Sequence, residues 1–442
     1  MIPAPEGPPG PAWEAARDAD PVVRRYRAFF ALLDWGAVPE RDERRPRPGS
    51  PPHPAAAYVK ALLVKLVERK EYVTDLRAFL VEHPLLVLEL GFRPVPDPAR
   101  PFGFDVERTV PCDRWLRHRQ QALDPAVLGA LLAGTVRSLA AEIPGLGATV
   151  AVDVKHIYAW VRENNPRERV PRRHDPARQP RGDPDCRLGA KRLANQDGPP
   201  GGPAPAKEYL WGYGTGIVSA TDPAYGDVVV AEVTRPFNCQ DVTYFHPLHG
   251  QAVAHLGARP TNLAADAAFD AWHVYQPYAE HGGMAAIPLN RRGPAPARAP
   301  DGRPVCDRGL AMAPGYDFAH EDGYRAREYR CPLLRPARTG EACDDPRFAA
   351  GRGCVKRVNL EAGGRLRLDL DRQGAAYRAV YRQRTSAERI NSQAKALGIE
   401  RPKARSAAAV HRLNTLTYVV INARALQRIR AAKAAAAAAP LC

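Results

Sequence analysis

The chain has no long apolar run. Even Leu85 to Leu90 is short and bounded by polar residues, which argues against a membrane-spanning helix and predicts no membrane partner. No basic segment followed by an apolar core opens the sequence, so a secretory signal is not expected. Its eight cysteines are irregularly placed and contain no close C-x2-C pair, which predicts free thiols in a reducing compartment rather than a disulfide framework. Together these absences predict a cytoplasmic protein, and in a bacterial cell one associated with the nucleoid.

What is present is enough material for large cores and a strong positive field. The 442 residues are 45% hydrophobic and 25% charged, sufficient for two or three domains. Formal net charge is +16, with cations spread through the N-terminal region, the middle and the tail, a distribution that favours polyanions and nucleic acid first. An Arg-, Ala- and Pro-rich composition also reflects genomic base usage, so charge supports this partner without specifying it.

Pattern and punctuation predict a Pro-rich leader over 1–54, poorly ordered to about residue 20, with a short helix from Val22 to Trp35 and a linker from Arg41 to Pro54. A helical region over 55–146 follows, interrupted at Pro84 and including Cys112 to Ala122, whose cationic dressing suits either a helix-turn-helix-like DNA reader or a helical cap. Residues 147–290 read as the first part of an α/β domain, with a mobile basic loop over 163–207 and strands from Tyr209 to Ala220 and Val228 to Val233. Residues 291–370 form an insertion of low periodicity, in which Arg365 to Leu370 suits a strand. The C-terminal helices occupy 371–430, with a core stripe at Val410, Leu413, Leu416, Val420 and Leu426, ahead of an Ala-rich tail over 431–442. Cys306, Cys331, Cys343 and Cys354 raise a zinc site, but their wide spacings leave buried free thiols as the default.

The most informative feature is Tyr381, Arg384, Glu388 and Lys395, spaced Y-x2-R-x3-E-x6-K. On one continuous helix these side chains fall within roughly 60°, with Ala387, Ile390, Ala394 and Leu397 opposite and Arg389 roughly 100° from Glu388. A carboxylate among a phenol and two cations suits joint binding of a phosphodiester and a metal. The same letters would also suit a solvated face on which Arg384 and Glu388 support one another. Two aspartates strengthen the chemical reading. Asp153 interrupts the apolar run GATVAVDVKHIYAW, where it needs a metal or a cation such as Lys155 or Arg162 to compensate it. Asp266 closes a short strand at Asn262 to Ala265 and opens onto a helix, where open α/β sheets place active sites. Asp270 is its rival, one turn into the expected helix from Phe269 to Tyr278.

The four-residue motif, preceded by these aspartates, resembles the Tyr-Arg-Glu-Lys motif of bacterial insertion-sequence transposases of the DDE class. The resemblance covers roughly Ala148 to Ala425 and implies an α/β, RNase H-like catalytic domain with an inserted β region, preceded by a helical DNA-binding domain. It implies that Asp153, Asp266 and Glu388 are catalytic and bind Mg²⁺ or Mn²⁺, two ions in all, and that Tyr381, Arg384 and Lys395 hold DNA. The expected partners are transposon ends and target DNA, with a homodimer assembled on DNA. The implied activity is metal-dependent DNA cleavage and strand transfer. Alternatives are an inactive DNA-binding descendant and a metal nuclease without strand transfer.

Overall fold

The computed structural model describes residues 11–39, 53–192, 207–290 and 297–438. The first part of the leader, linker positions 41–52, loop positions 193–206, the start of the insertion at 291–296 and tail positions 439–442 lie outside the described residues. The chain is a mixed α/β protein that divides into two compact units: Met1–Pro260 with Gln383–Cys442, and Thr261–Arg382. Among the described residues no single helix is long and apolar enough to cross a membrane.

The first unit begins with helices α1 (Pro11–Ala19), α2 (Pro21–Phe30), α3 (Ala55–Val67), α4 (Val73–Glu82) and α5 (Pro84–Leu90). Helix α1 corrects the expectation of disorder to about residue 20. Its Pro11 occupies the first turn, where a missing N–H costs nothing, and Arg17 approaches Glu89 of α5 at 3.8 Å. Asp20 caps α2 by accepting from the amides of Val22 and Val23. The interruption expected at Pro84 falls between α4 and α5, with the proline in the first turn of α5. A two-residue hairpin, β1 (Val95–Pro96) and β2 (Phe104–Asp105), leads into α6 (Val106–Thr109), α7 (Asp113–Ala122) and α8 (Pro125–Glu142). Helix α8 falls within the helical region expected over 55–146.

The sheet of this unit is antiparallel. Strand β5 (Lys207–Asp222) pairs with β3 (Thr149–Tyr158), β4 (Arg187–Arg192) and β6 (Gly226–Pro236). The hairpin between β5 and β6 is closed by Asp222, whose carboxylate accepts from the amides of Ala224 and Tyr225. Gly214 and Gly216 give β5 a smooth surface, because a β-carbon at either position would lie 2.6 Å from the Tyr244 side chain just ahead of α9 (Phe245–Leu256). Strand β4 lies in the segment expected to be a mobile loop, and residues 163–191 are pinned. Asn164 bonds the backbone of Trp211, Trp211 Nε1 donates to the Arg173 carbonyl at 2.7 Å, and the Tyr213 hydroxyl donates to fully buried Asp183 at 2.7 Å.

The second unit pairs β7 (Asn262–Ala264) and β8 (Met284–Ala286) in parallel, connected through α10 (Trp272–Ala279). Its inserted β region is a separate antiparallel sheet of β9 (Ala313–Ala319), β10 (Arg325–Arg330) and β11 (Val355–Asn359), with the short α11 (Pro346–Ala349) before β11. Arg365 to Leu370 is not a strand but falls in α12 (Ala362–Asp369) and its cap. Its alternation of Arg and Leu mimics a strand over too few residues to decide. The deciding contact is tertiary: a β-carbon on Gly363 would meet the Trp272 carbonyl at 2.4 Å, so the glycine lets α12 lie directly on α10. The unit ends with α13 (Ala375–Tyr381).

The chain re-enters the first unit through α14 (Thr385–Ala396) and the 32-residue α15 (Ala407–Ala438). The expected stripe is buried, but so are Thr415, Tyr418, Val419 and Ile421 on other faces. Helix α15 is the spine of the unit, packed against α8 and β6, and therefore loses the one-sided pattern of a surface helix.

Candidate active site

Strand β3 places Asp153 opposite Ile217 of β5, which in turn stands opposite Glu232 of β6, so these positions share one face of the sheet. Helix α14 packs against β3 and β5, with Ala387, Ile390 and Ala394 fully buried, as their place opposite the motif requires. Ser386 of α14 bonds Ser219 of β5 at 2.8 Å, oxygen to oxygen. Asn391 donates from Nδ2 to Asp153 Oδ2 at 2.8 Å. Its own Oδ1 is buried without a hydrogen-bond partner. Asn391 is one turn beyond Glu388, so α14 carries the motif glutamate on the same side as the residue that holds Asp153. The sequence reading missed Asn391, although its i+3 spacing from Glu388 was the available signal.

The cations expected to compensate Asp153 pair elsewhere. Lys155 reaches Glu400 at 2.8 Å, and Arg162 reaches Glu168 at 2.9 Å. Lys395 also approaches Glu400, at 3.4 Å. Burial would raise the Glu400 carboxyl, but Lys155 and Lys395 outweigh it and hold the group below its ordinary range. Arg384 pairs with half-exposed Glu388 at 2.6 Å, the i, i+4 contact anticipated for a solvated face. On the same sheet face, two residues along β5 from Ile217, Thr215 shares a hydroxyl contact with Tyr418 at 3.3 Å. Glu232 is held by Thr415 at 2.5 Å and lies 3.2 Å from His411. Burial pushes the Glu232 carboxyl up, against the lowering effect of His411 and the surrounding hydroxyls.

The motif is not one helix. A 3₁₀ turn, Arg382–Arg384, separates α13 from α14, and its tighter winding breaks the azimuthal progression that would align all four side chains. Tyr381 ends α13 in the second unit, where its ring stacks on Tyr377 with centroids 5.6 Å apart. Arg389, expected to be an uninvolved neighbour, makes bonds of 2.6 and 2.7 Å to Asp227, whose side chain is 6% exposed. It is a structural cation.

Within the second unit, Asp266 stands just beyond β7 and caps a 3₁₀ turn by accepting from the Ala268 amide at 2.9 Å. Asp270 precedes α10 instead of lying inside it. Its side chain is fully buried, doubly bonded to Arg367 at 2.7 Å and also held by the Tyr275 hydroxyl and the Asn290 amide. That saturation gives Asp270 a structural role.

The four insertion cysteines gather in one place. Cys306, Cys331 and Cys354 are buried in an apolar cluster with Met312 and Leu333, and Cys343 packs against it. Burial, with further contributions from Cys331 and Cys306, pushes the Cys354 thiol up to about 12, which favours the protonated form. Among the described residues no group of three or more His, Cys, Asp and Glu side chains is arranged to hold a metal ion. Beside the Asp153 carboxylate stands the unpartnered Asn391 Oδ1, and Glu388 lies one turn earlier on α14.

No family model and no curated protein matches the chain. Among solved structures it is similar to piggyBac transposase in a cryo-EM synaptic complex with hairpin DNA, at 10% identity and a TM-score of 0.36, over 98% of this chain and 79% of that one.

Proposed function

We propose that the protein is a DNA transposase of the DDE class, with an RNase H-like catalytic domain, that cleaves the ends of a mobile element and transfers the strand to target DNA. The observation that carries this reading is the seating of α14 on β3: Asn391 bonds Asp153 while Glu388 stands one turn earlier on the same helix. A strand aspartate bonded by the motif-bearing helix is what this reading leads one to expect, and a helix lying free on the surface would not supply that bond.

In this reading Asp153, Asp266 and Glu388 hold Mg²⁺ or Mn²⁺, which supplies Lewis acidity for in-line phosphoryl transfer. Asn391 fixes the orientation of Asp153. Arg384 exchanges its bond to Glu388 for a DNA phosphate, which leaves the carboxylate available as a ligand. Lys395 and Tyr381 hold DNA, and the helices over 55–146 contact the element's terminal sequence. A homodimer assembled on DNA brings two ends together.

The test is metal-dependent cleavage of supercoiled and terminal-repeat DNA, beside a gel shift. Asp153→Asn, Asp266→Asn and Glu388→Gln should each abolish nicking and spare DNA binding. Wild-type cutting by all three variants would refute the assignment. Cleavage without joined products would identify a nuclease, and binding without cleavage in the wild type would identify an inactive descendant.

A further inference from the structure

A cavity of about 410 Å³ lies within the first unit, between the end of α3 and the segment linking α14 to α15. Its wall carries Lys65, Arg69, Lys70, Lys395, Arg401 and Lys403 against the carboxylates Glu71 and Glu400. Such an excess of cations around a recess of this size suits an organic anion. Lys65 is 7% exposed and its ammonium donates to the Glu71 carbonyl at 3.0 Å. Keeping a lysine this deep is costly, and burial lowers its pKa to about 8 against the raising effect of Asp75 and Glu71. An incoming anion would relieve that cost. Asn414, also in the wall, is fully buried and its Oδ1 has no hydrogen-bond partner. The wall thus combines positive charge with an orphaned acceptor, a combination that a phosphate alone does not use.

At the rim stand two exposed aromatic rings, Tyr72 at 40% and Trp160 at 38%. Their centroids are 6.1 Å apart. Lys403 lies 5.5 Å from the Tyr72 ring and 5.8 Å from the Trp160 ring, and Arg405 lies 4.7 Å from Trp160. Exposed indole and phenol rings interleaved with cations suit bases that have left the double helix, because a paired base offers neither face for stacking. Duplex DNA would use the charges and leave the rings idle.

We propose that this cavity and its aromatic rim bind an unpaired DNA strand, with a base against Trp160 or Tyr72 and the adjoining nucleotide in the basic recess. The proposal rests on the transposase reading, to which it adds the strand form of the substrate and a second contact surface reached through Lys395.

The experiment uses the full-length protein without divalent metal and measures fluorescence anisotropy of a labelled twelve-nucleotide strand and of the same sequence as duplex. Trp160→Ala and Tyr72→Ala should each weaken single-strand binding by about ten-fold and duplex binding by less than about two-fold. Trp160→Phe should restore most of the loss. Tyr209→Ala removes an aromatic exposed to 47% elsewhere and should bind like the wild type. Circular dichroism checks that each variant is folded. Equal losses on strand and duplex, or no loss for either rim variant, would overturn the proposal. Displacement of the strand by equimolar deoxyadenosine monophosphate would overturn the strand as the source and leave a free-nucleotide pocket. The single-strand preference should persist in Asp153→Asn. Failure of that variant to lose cleavage would count against the transposase reading alone.

Discussion

Replacing Arg389 by alanine should damage the fold rather than the chemistry, the reverse of Arg384→Ala on the same helix. Arg389 closes two short bonds, 2.6 and 2.7 Å, onto an Asp227 side chain that is only 6% exposed. Its removal leaves a buried carboxylate without its cation, a change that costs about 3 to 5 kcal/mol when both partners are buried. The Arg389 side chain is 52% exposed, so water fills part of the gap and the figure falls to about 2 kcal/mol. That corresponds to a drop of roughly thirty-fold in the folded-to-unfolded ratio. For a urea slope of about 2 to 3 kcal/mol per molar, the midpoint should fall by roughly 0.7 to 1 M. The Arg384 pair with Glu388 is more open, and its loss should cost no more than about 1 kcal/mol in stability. If Arg384 binds a phosphate, however, Arg384→Ala should weaken binding to pre-cut terminal DNA by about ten-fold. The assays are urea unfolding followed by tryptophan fluorescence and gel shifts at fixed fraction folded. An unchanged midpoint for Arg389→Ala, with a binding loss equal to that of Arg384→Ala, would refute the division of labour along α14.

Asn391→Ala should reduce cleavage by about ten-fold with DNA affinity unchanged, because it frees the Asp153 carboxylate to rotate; equal cleavage by variant and wild type would remove Asn391 from the site. Asp270 supplies a pH test. Burial alone would raise its carboxyl, but the bonds from Arg367, Asn290 and Tyr275 prevail and hold its folded pKa below the usual value near about 4. Its stabilisation is therefore present above about pH 4 and lost as pH falls through the folded value, so the gap in urea midpoint between wild type and Asp270→Asn should narrow on acidification. A gap that stays constant would contradict the ion-pair account. Cys354→Ala should destabilise the second unit by about 1 to 2 kcal/mol, and a chelator should leave the wild type unchanged if the thiols act as an apolar cluster. Loss of stability on chelation would instead show that Cys306, Cys331, Cys343 and Cys354 bind metal.

Local chemistry made much of this molecule legible in its sequence. The β5–β6 hairpin is written in two apolar runs joined by an Asp-rich turn, the start of α5 in Pro84, and the buried side of α14 in Ala387, Ile390 and Ala394. Each of these depends on neighbours within a few residues, so spacing alone carries the information. Tertiary structure decided the rest. Arg365 to Leu370 alternates like a strand, but it lies in α12, which packs on α10 through the close approach that Gly363 permits. Residues 163–191 look like a mobile loop, and Tyr213, Trp211 and buried Asp183 tie them to the sheet. Nothing near Asp270 or Arg389 in the sequence marks the partners Arg367 and Asp227, 97 and 162 positions away, that bind them. The motif's spacing is a property of the sequence, but the 3₁₀ turn that divides it and the Asn391 bond to Asp153 exist only in the folded chain. A charged side chain carries no local record of its partner, because the partner is chosen by which surfaces pack and how much water they exclude.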